Sequence, residues 1–547
     1  QVALAGGGKV YLLEPTDSRL RNVLVEVDPT VVTDGAGGSR EVHGSVANTA
    51  TGSISTPRGN VTMVSYAVNQ AGRLSATNAV DLDGSIILSA RDSAQNTSVD
   101  SSGNLIRTGE VGGTLTLGAN SVTEVRPDTD ANGAYSSTET TETPIAARIA
   151  LSGRDIDIGT NAQVVATAGK IEILARSATG SHASNGTVYP SPSVQVAAGA
   201  TLDVSGLKDV TRAMSDNELE VELRGYELAD SPMQRDGILR TRGQEKFYFD
   251  LRQLDADGKV ALANLSGYRD QRGLRIDEAS TQGGTISIDS GNGAVAFARG
   301  SVVDVSGGKT TVQAGTMRRT YVRDASGREY DIDVAPADRT YVSYRVVKVR
   351  EAGYVRGASA GALSIESGSG AVDLGASLRG GVTIGQYQRA SGGIGDAARP
   401  IGASLSLNTL KSVVLGSAGE LQDLAAGNVG LDASMLSAGG FASLVVNTNR
   451  YGDITLTRGA ELELADSGSV QLDGRRVDLY GRLAAAGAKV VVSASKDTEA
   501  ARGDYGVSLH TGAEIDVAGN WTNDDLAGAK SAAPTAIVLN GGSVALT

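Results

Sequence analysis

Residues 283–306 read GGTISIDSGNGAVAFARGSVVDVS, and the rest of the chain reads as variations on them. Ile286, Ile288, Val295, Phe297, Val302 and Val305 are apolar, with small or polar residues between them, and glycines at 291, 293 and 300 cut the stretch into short pieces. Period-two alternation between Gly, Asn and Ser punctuation predicts half-buried strands joined by tight turns. The same text returns at 361–381 as GALSIESGSGAVDLGASLRGG. Aligned residue by residue, Ile288 falls on Ile365, Asp289 on Glu366, Ser290 on Ser367, Gly291 on Gly368, Gly293 on Gly370 and Val295 on Val372. An echo this close predicts a repeat architecture.

Composition narrows what such a repeat can be. The chain has 547 residues, of which 71 are Gly and only 4% aromatic, which suits a narrow core of stacked small and branched side chains. There is no three-residue glycine period, so collagen is excluded. The formal charge of −13 argues against nucleic-acid binding, which needs clustered Lys and Arg. With no cysteine, disulfides, thiolate zinc sites and cysteine nucleophiles are excluded. No apolar run is long enough to span a bilayer. Both ends lie mid-pattern without a polar cap, and the expectation is a piece of a longer polypeptide.

Strand-like units recur along residues 1–206, about 20 residues apart, the spacing of one turn of a solenoid. A Ser/Thr/Asp/Glu-rich tract near 128–143 is expected to loop out, and a short Ser/His/Asn/Pro loop fills 177–193. Residues 207–281 lose glycine and gather Tyr226, Met233, Phe247, Tyr248, Phe249 and Tyr268, the marks of an inserted appendage. Residues 282–308 return to the repeat. A second insertion, 309–358, holds Tyr321, Tyr330, Tyr341, Tyr344 and Tyr354, with a hairpin turning at Ser326-Gly327. Repeat text then runs nearly unbroken over 359–547, and no segment shows a capped helical stripe.

Each unit is too short to bury its own apolar face, so rungs must stack. Strands joined by crossovers from rung to rung are parallel. The fold expected is all-β: a right-handed parallel β-helix, a solenoid of about 15 to 20 rungs, with β-rich insertions. A β-propeller or tandem sandwich would need longer, aromatic-marked antiparallel repeats.

Several segments also resemble the secreted large exoproteins of the filamentous haemagglutinin family. They are Gly59–Asp92 (GNVTMVSYAVNQAGRLSATNAVDLDGSIILSARD), Gly7–Leu12, the Asp-Val-Ser-Gly turns at 203–206 and 304–307, and Val221–Pro232. The resemblance covers most of the chain, insertions included. It implies a Gram-negative exoprotein exported through a dedicated outer-membrane β-barrel transporter and forming a long β-helical fibre. The export-recognition domain such proteins carry at the N-terminus is not recognisable.

Sites are sparse. Arg502-Gly503-Asp504 is an integrin-recognition tripeptide, the one candidate receptor contact, of a kind that chance supplies readily in Gly-rich chains. His43, His182 and His510 have no carboxylate at ligand spacing, so no metal site is expected. Asp155, Asp157, Asp203 and Asp304 alternate with apolar residues and should point outward. Only if they cluster across rungs would they support the chemistry of a polysaccharide-active enzyme. No cofactor is implied. The insertion aromatics either form contact surfaces or fill the insertions' own cores. The expected function is non-enzymatic: a structural fibre segment for adhesion to a host-cell or matrix protein or glycan, with lateral self-association of the rod. The alternatives are a polysaccharide-active enzyme and the stalk of a contact-dependent toxin exoprotein.

Overall fold

The computed structural model describes residues 1–13, 24–33, 35, 37–82, 84–92, 97–99, 105–107, 109–180, 189–390, 393, 397–425, 427–495, 505–522 and 537–547. Strands make up 49% and helices 7%, so the chain is all-β. The stretch 283–306 supplies one strand to each of three sheets: Thr285–Asp289, Ala294–Phe297 and Val302–Asp304. Its echo supplies the next strand of each: Ala362–Gly368, Val372–Leu374 and Ser377–Arg379. All three pairings are parallel, and residues that align in sequence pair in space: Ile288 with Ile365, Asp289 with Glu366, Val295 with Val372.

The same order holds along the chain. Asn60–Ser65 joins the first, long sheet, Ala67–Gln70 the second and Arg73–Asn78 the third, before Ser85–Asp92 returns to the first. Among the described residues the long sheet's parallel run has twelve strands, from Val2–Gly6 to Ser543–Leu546. This is fewer than the repeat spacing suggested, because hairpins, loops and insertions occupy text that reads like further rungs. The second and third sheets hold seven strands each up to Arg379, and a five-stranded and a three-stranded sheet follow them.

Inward residues stack in register on the long sheet: Ile149, Ile171, Ile286, Leu363, Leu405 and Leu444 form one column, all buried. Burying each such side chain contributes about 1.5–3 kcal/mol. Within the founding stretch, Val303 and Val305 turn inward and Val302 outward, one residue off the plain alternation. Glycine is forced where consecutive rungs enter the long sheet. A Cβ on Gly284 would overlap the carbonyl oxygen of Gly169, and one on Gly361 the carbonyl oxygen of Gly284.

Four departures shape the molecule. First, Lys9–Leu13 with Leu24–Asp28, and Thr30–Thr33 with Ser39–Val42, are antiparallel hairpins rather than rungs. The strand Leu24–Asp28 lies against the long sheet, packing Val25 and Val27 with Val64. Second, the insertions at 207–281 and 309–358 fold together. Leu219, Val221, Phe247, Phe249 and Leu265 share one core with Val322, Ile332, Ala335 and Tyr341. Val210–Arg212 pairs with Lys309–Val312, which pairs with Tyr354–Gly357, and this three-stranded sheet roots the appendage. Third, the polar tract does not swing free. Glu139–Thr140 pairs with Leu274–Arg275, and the Tyr135 hydroxyl donates to Asp209 at 3.0 Å.

Fourth, residues 413–439 break the rung pattern expected there. Val413–Gly416 is followed by a second parallel strand, Val429–Asp432, and both belong to the sheet that continues the second face. A helix, Ala433–Gly439, then packs between Ser377–Arg379 and Glu461–Leu464, where the third face would carry a strand. Asp432 caps it by accepting from the Ser434 amide, Leu436 is buried, and Gly440 ends it at φ 72°.

The stacking constraint predicts position-dependent costs. Ile365→Ala should lower stability by about 2–5 kcal/mol in urea unfolding followed by circular dichroism, while outward Ser364→Ala stays within about 0.5 kcal/mol. Gly361→Ala should lower the midpoint clearly, whereas Gly381→Ala, whose Cβ would meet nothing within 4 Å, should not.

Candidate functional site

The appendage aromatics divide by environment. Phe247, Phe249, Tyr341 and Tyr354 are buried and hold the appendage together, while Tyr226 and Met233 are exposed. Beneath them lies a charged junction between the two insertions. Arg252 and Arg319 both bind Asp250 and Glu351, and Arg319 also binds Asp331 at 2.9 Å. Asp333 accepts the Asp250 amide at 3.1 Å. Burial first, and then the charge of Asp331, push the Asp333 carboxyl up to about 8. This cluster is a lock between insertions and is closed to a ligand by its own pairing.

The four sequence-predicted aspartates do not come together. Asp155 and Asp157 lie on the second sheet, Asp203 and Asp304 on the third. Asp155 binds Arg154 and Ser193, and partial burial together with the Asp155 charge raises the Asp157 carboxyl. Asp203 and Asp304 pair in register, and each accepts a backbone amide two residues on, from Ser205 at 2.8 Å and Ser306 at 3.0 Å. Their role is to form stacked turns.

Two histidines do have carboxylate partners, contrary to the expectation from spacing. The His43 Nδ1 lies 2.6 Å from Asp92, with its ring stacked 4.0 Å from Tyr66. The His510 Nε2 lies 3.0 Å from Asp478, with its ring 3.9 Å from Tyr480. The partners are 49 and 32 residues away in sequence, which local spacing cannot reveal. Burial would raise the Asp478 carboxyl, but His510 and Arg476 hold it below its usual range. Among the described residues no three His, Asp or Glu side chains group as metal ligands. His182 and Arg502-Gly503-Asp504 lie outside the described residues.

The arrangement best suited to a ligand was not anticipated. Asn447, Asn449, Arg450, Tyr451 and Asp473 line an open polar groove of about 380 Å³ where the long sheet turns toward the second. Thr448 to Tyr451 form a tight turn closed by the Tyr451 amide on the Thr448 carbonyl at 3.0 Å. Both central residues are left-handed, Asn449 at φ 49° and Arg450 at φ 68°. Asparagine tolerates this conformation, but arginine stands where such turns prefer glycine. The Asn447 side chain accepts the Asn449 amide at 2.8 Å, and the buried Thr448 hydroxyl donates to the Gly452 carbonyl at 2.7 Å. The turn is thus held from both sides. It presents Tyr451, 60% exposed, beside an Arg450 guanidinium with no partner among the described residues, with Asp473 also lining the groove. One aromatic face with converging amide, guanidinium and carboxylate groups can stack on a sugar ring and hydrogen-bond its hydroxyls. The sequence signal was the pair Asn449-Arg450 before Tyr451-Gly452, a turn without glycine at its centre.

Two measurements check these assignments. Because the folded Asp333 carboxyl titrates far above the unfolded one, its neutral form favours folding. That contribution is complete below the unfolded value and is lost as pH rises through about 8. Asp333→Asn should therefore leave the melting temperature nearly unchanged at or below about pH 4 and raise it increasingly up to about pH 8. Arg450→Gly should stabilise the fold by about 0.5–1 kcal/mol in urea unfolding, by relieving the turn. A scan against protein-family models, a search of the curated proteins and a search of the solved structures each returned no match.

Proposed function

We propose that this chain is a segment of a secreted or cell-surface fibre: a right-handed parallel β-helix, non-enzymatic, acting in adhesion. The observation that carries the reading is the in-register parallel stack, in which three sheets are visited in turn over most of the described chain. Parallel strands joined by crossovers take the right-handed sense. Such a stack resists extension along its axis and gives reach, while its corners carry the appendage and the Asn449–Tyr451 turn. The resemblance of Gly59–Asp92 and Val221–Pro232 to haemagglutinin-type exoproteins supports the same reading. It brings with it export through an outer-membrane β-barrel transporter, and lateral contact between rods. The ligand class favoured by the polar groove is a saccharide of a host-cell or matrix glycan.

The test is retention of the purified segment on a panel of immobilised host and extracellular polysaccharides, with reducing and unsaturated ends assayed in parallel. Retention without new ends is expected, weakened about ten-fold or more by Tyr451→Ala and by Arg450→Gly. New ends would replace this reading with that of a polysaccharide-active enzyme. Equal retention of both variants would remove the groove from the account, and no retention on any glycan would overturn the adhesive reading.

A further inference from the structure

The strand Tyr341–Glu351 is the outer member of a three-stranded antiparallel sheet in the appendage, with Gly315–Asp324 at the centre and Glu329–Asp331 on the far side. It is 11 residues long, and among the described residues its only ladder partner is Gly315–Asp324. Among the described residues, no backbone hydrogen bond from Val342 to Arg350 runs to anything but that partner. In an antiparallel pair alternate residues turn their peptide groups away from the partner, so this strand offers a row of unpaired N–H and C=O groups to solvent. Beside the row lies an apolar shelf. Val342 is 54% exposed, Val346 41% and Tyr344 36%, and they share the face on which Val322 enters the appendage core. The Tyr344 ring touches Phe247 at 5.0 Å between centroids, so the shelf continues the core outward.

Proteins blunt such an edge with a proline, a bulge or a covering loop, or with charged side chains that repel a second copy. Here the one irregularity lies at Arg323/Asp324, beside the strand's first residue, and positions 342–351 hold no proline. The edge is instead basic. Arg345, Lys348 and Arg350 stand against a single acid, Glu351, in a chain whose net charge is −13. Arg345 is occupied by Glu329, but Lys348 and Arg350 have no partner among the described residues. Two copies meeting edge to edge would bring three cations and one carboxylate from each together, and their repulsion disfavours that pairing.

We infer that Tyr341–Glu351 is a strand-addition site for an extended acidic segment of a partner protein. Its backbone would complete the ladder while apolar side chains at alternate positions cover Val342, Tyr344 and Val346 and carboxylates further along the same face meet Lys348 and Arg350. Main-chain pairing supplies affinity in such sites and the flanking side chains supply selectivity. The inference is independent of the saccharide groove, which lies on another part of the chain.

The experiment uses the whole segment and three fluorescent peptides read by anisotropy, each in both sequence orders: an acidic one with Val then Glu along a single face (Val-Ser-Val-Ser-Val-Ser-Glu-Ser-Glu), its counterpart with Lys in place of Glu, and the acidic peptide N-methylated at alternate residues. The acidic peptide should bind at least about ten-fold more tightly than the basic one, with affinity falling as salt is raised. N-methylation along one edge should abolish binding, since it removes the donors that would pair. The double variant K348E/R350E should weaken the acidic peptide about ten-fold with an unchanged melting temperature, because both side chains are unpartnered. Equal binding of the N-methylated or the basic peptide, or no binding at about 1 mM, would overturn the inference. So would a concentration-dependent dimer in sedimentation that excludes the acidic peptide, which would give the edge to a second copy.

Discussion

Twelve strands of the long sheet are paired in parallel, peptide by peptide, each with its neighbours at one spacing of about 4.8 Å. That spacing is the constraint under which the rest of the sequence operates. It removes Cβ atoms where main chains approach end-on, hence glycine at 169, 284 and 361. It also makes each inward side chain share a column with its neighbours, so Ile286 cannot change size without affecting Ile171 and Leu363. Additional chain is admitted only at corners, where it leaves and re-enters without disturbing register. Both insertions depart after a third-sheet strand and return to the long sheet, at Thr285 and Ala362, and this shared exit lets them merge into one appendage.

The appendage obeys different physics. It has no repeat to extend it, and it closes around aromatic side chains and a set of buried charges. Arg252 comes from one insertion and Arg319 from the other, and both meet Asp250 and Glu351. Desolvating such groups costs nearly what their attraction returns, so their main contribution is to make one mutual arrangement of the insertions better than the alternatives. Mispairing the insertions would leave a buried arginine without its acids.

How much of this was legible in the sequence depends on the range of the interaction. The echo of 283–306 at 361–381 was legible because stacking copies local text: Ile288 over Ile365 and Val295 over Val372 are both an alignment and a contact. The edges of the insertions were legible from the loss of glycine and the arrival of aromatics. Their union was not, because contact between Phe247 and Tyr344 leaves no periodic trace. The histidine–aspartate pairs and the polar groove were hidden for the same reason, since Asp473 reaches Asn447 only through the stack. The helix at 433–439 did carry local signals, Asp432 and Gly440, but Val429 and Leu431 ahead of it read as strand. The hairpins at 9–42 show the converse, because alternation predicts strands without saying whether they run parallel or antiparallel.

The departure at 413–439 has a mechanical consequence. Between Ala362–Gly368 and Phe441–Asn447 the long sheet advances through one intervening strand, Ala403–Thr409. Over the same interval the second face carries two strands, and the third carries a helix about 10 Å thick where a strand would occupy about half that. Two faces are therefore lengthened by about one strand spacing and the third is not. The stack becomes a wedge at this level, and its axis swings toward the long sheet. A uniform spring has no preferred direction of aim, but a shaft with a fixed elbow does. Whatever the later strands present is carried at a set angle to the appendage, so orientation as well as distance is written into the chain.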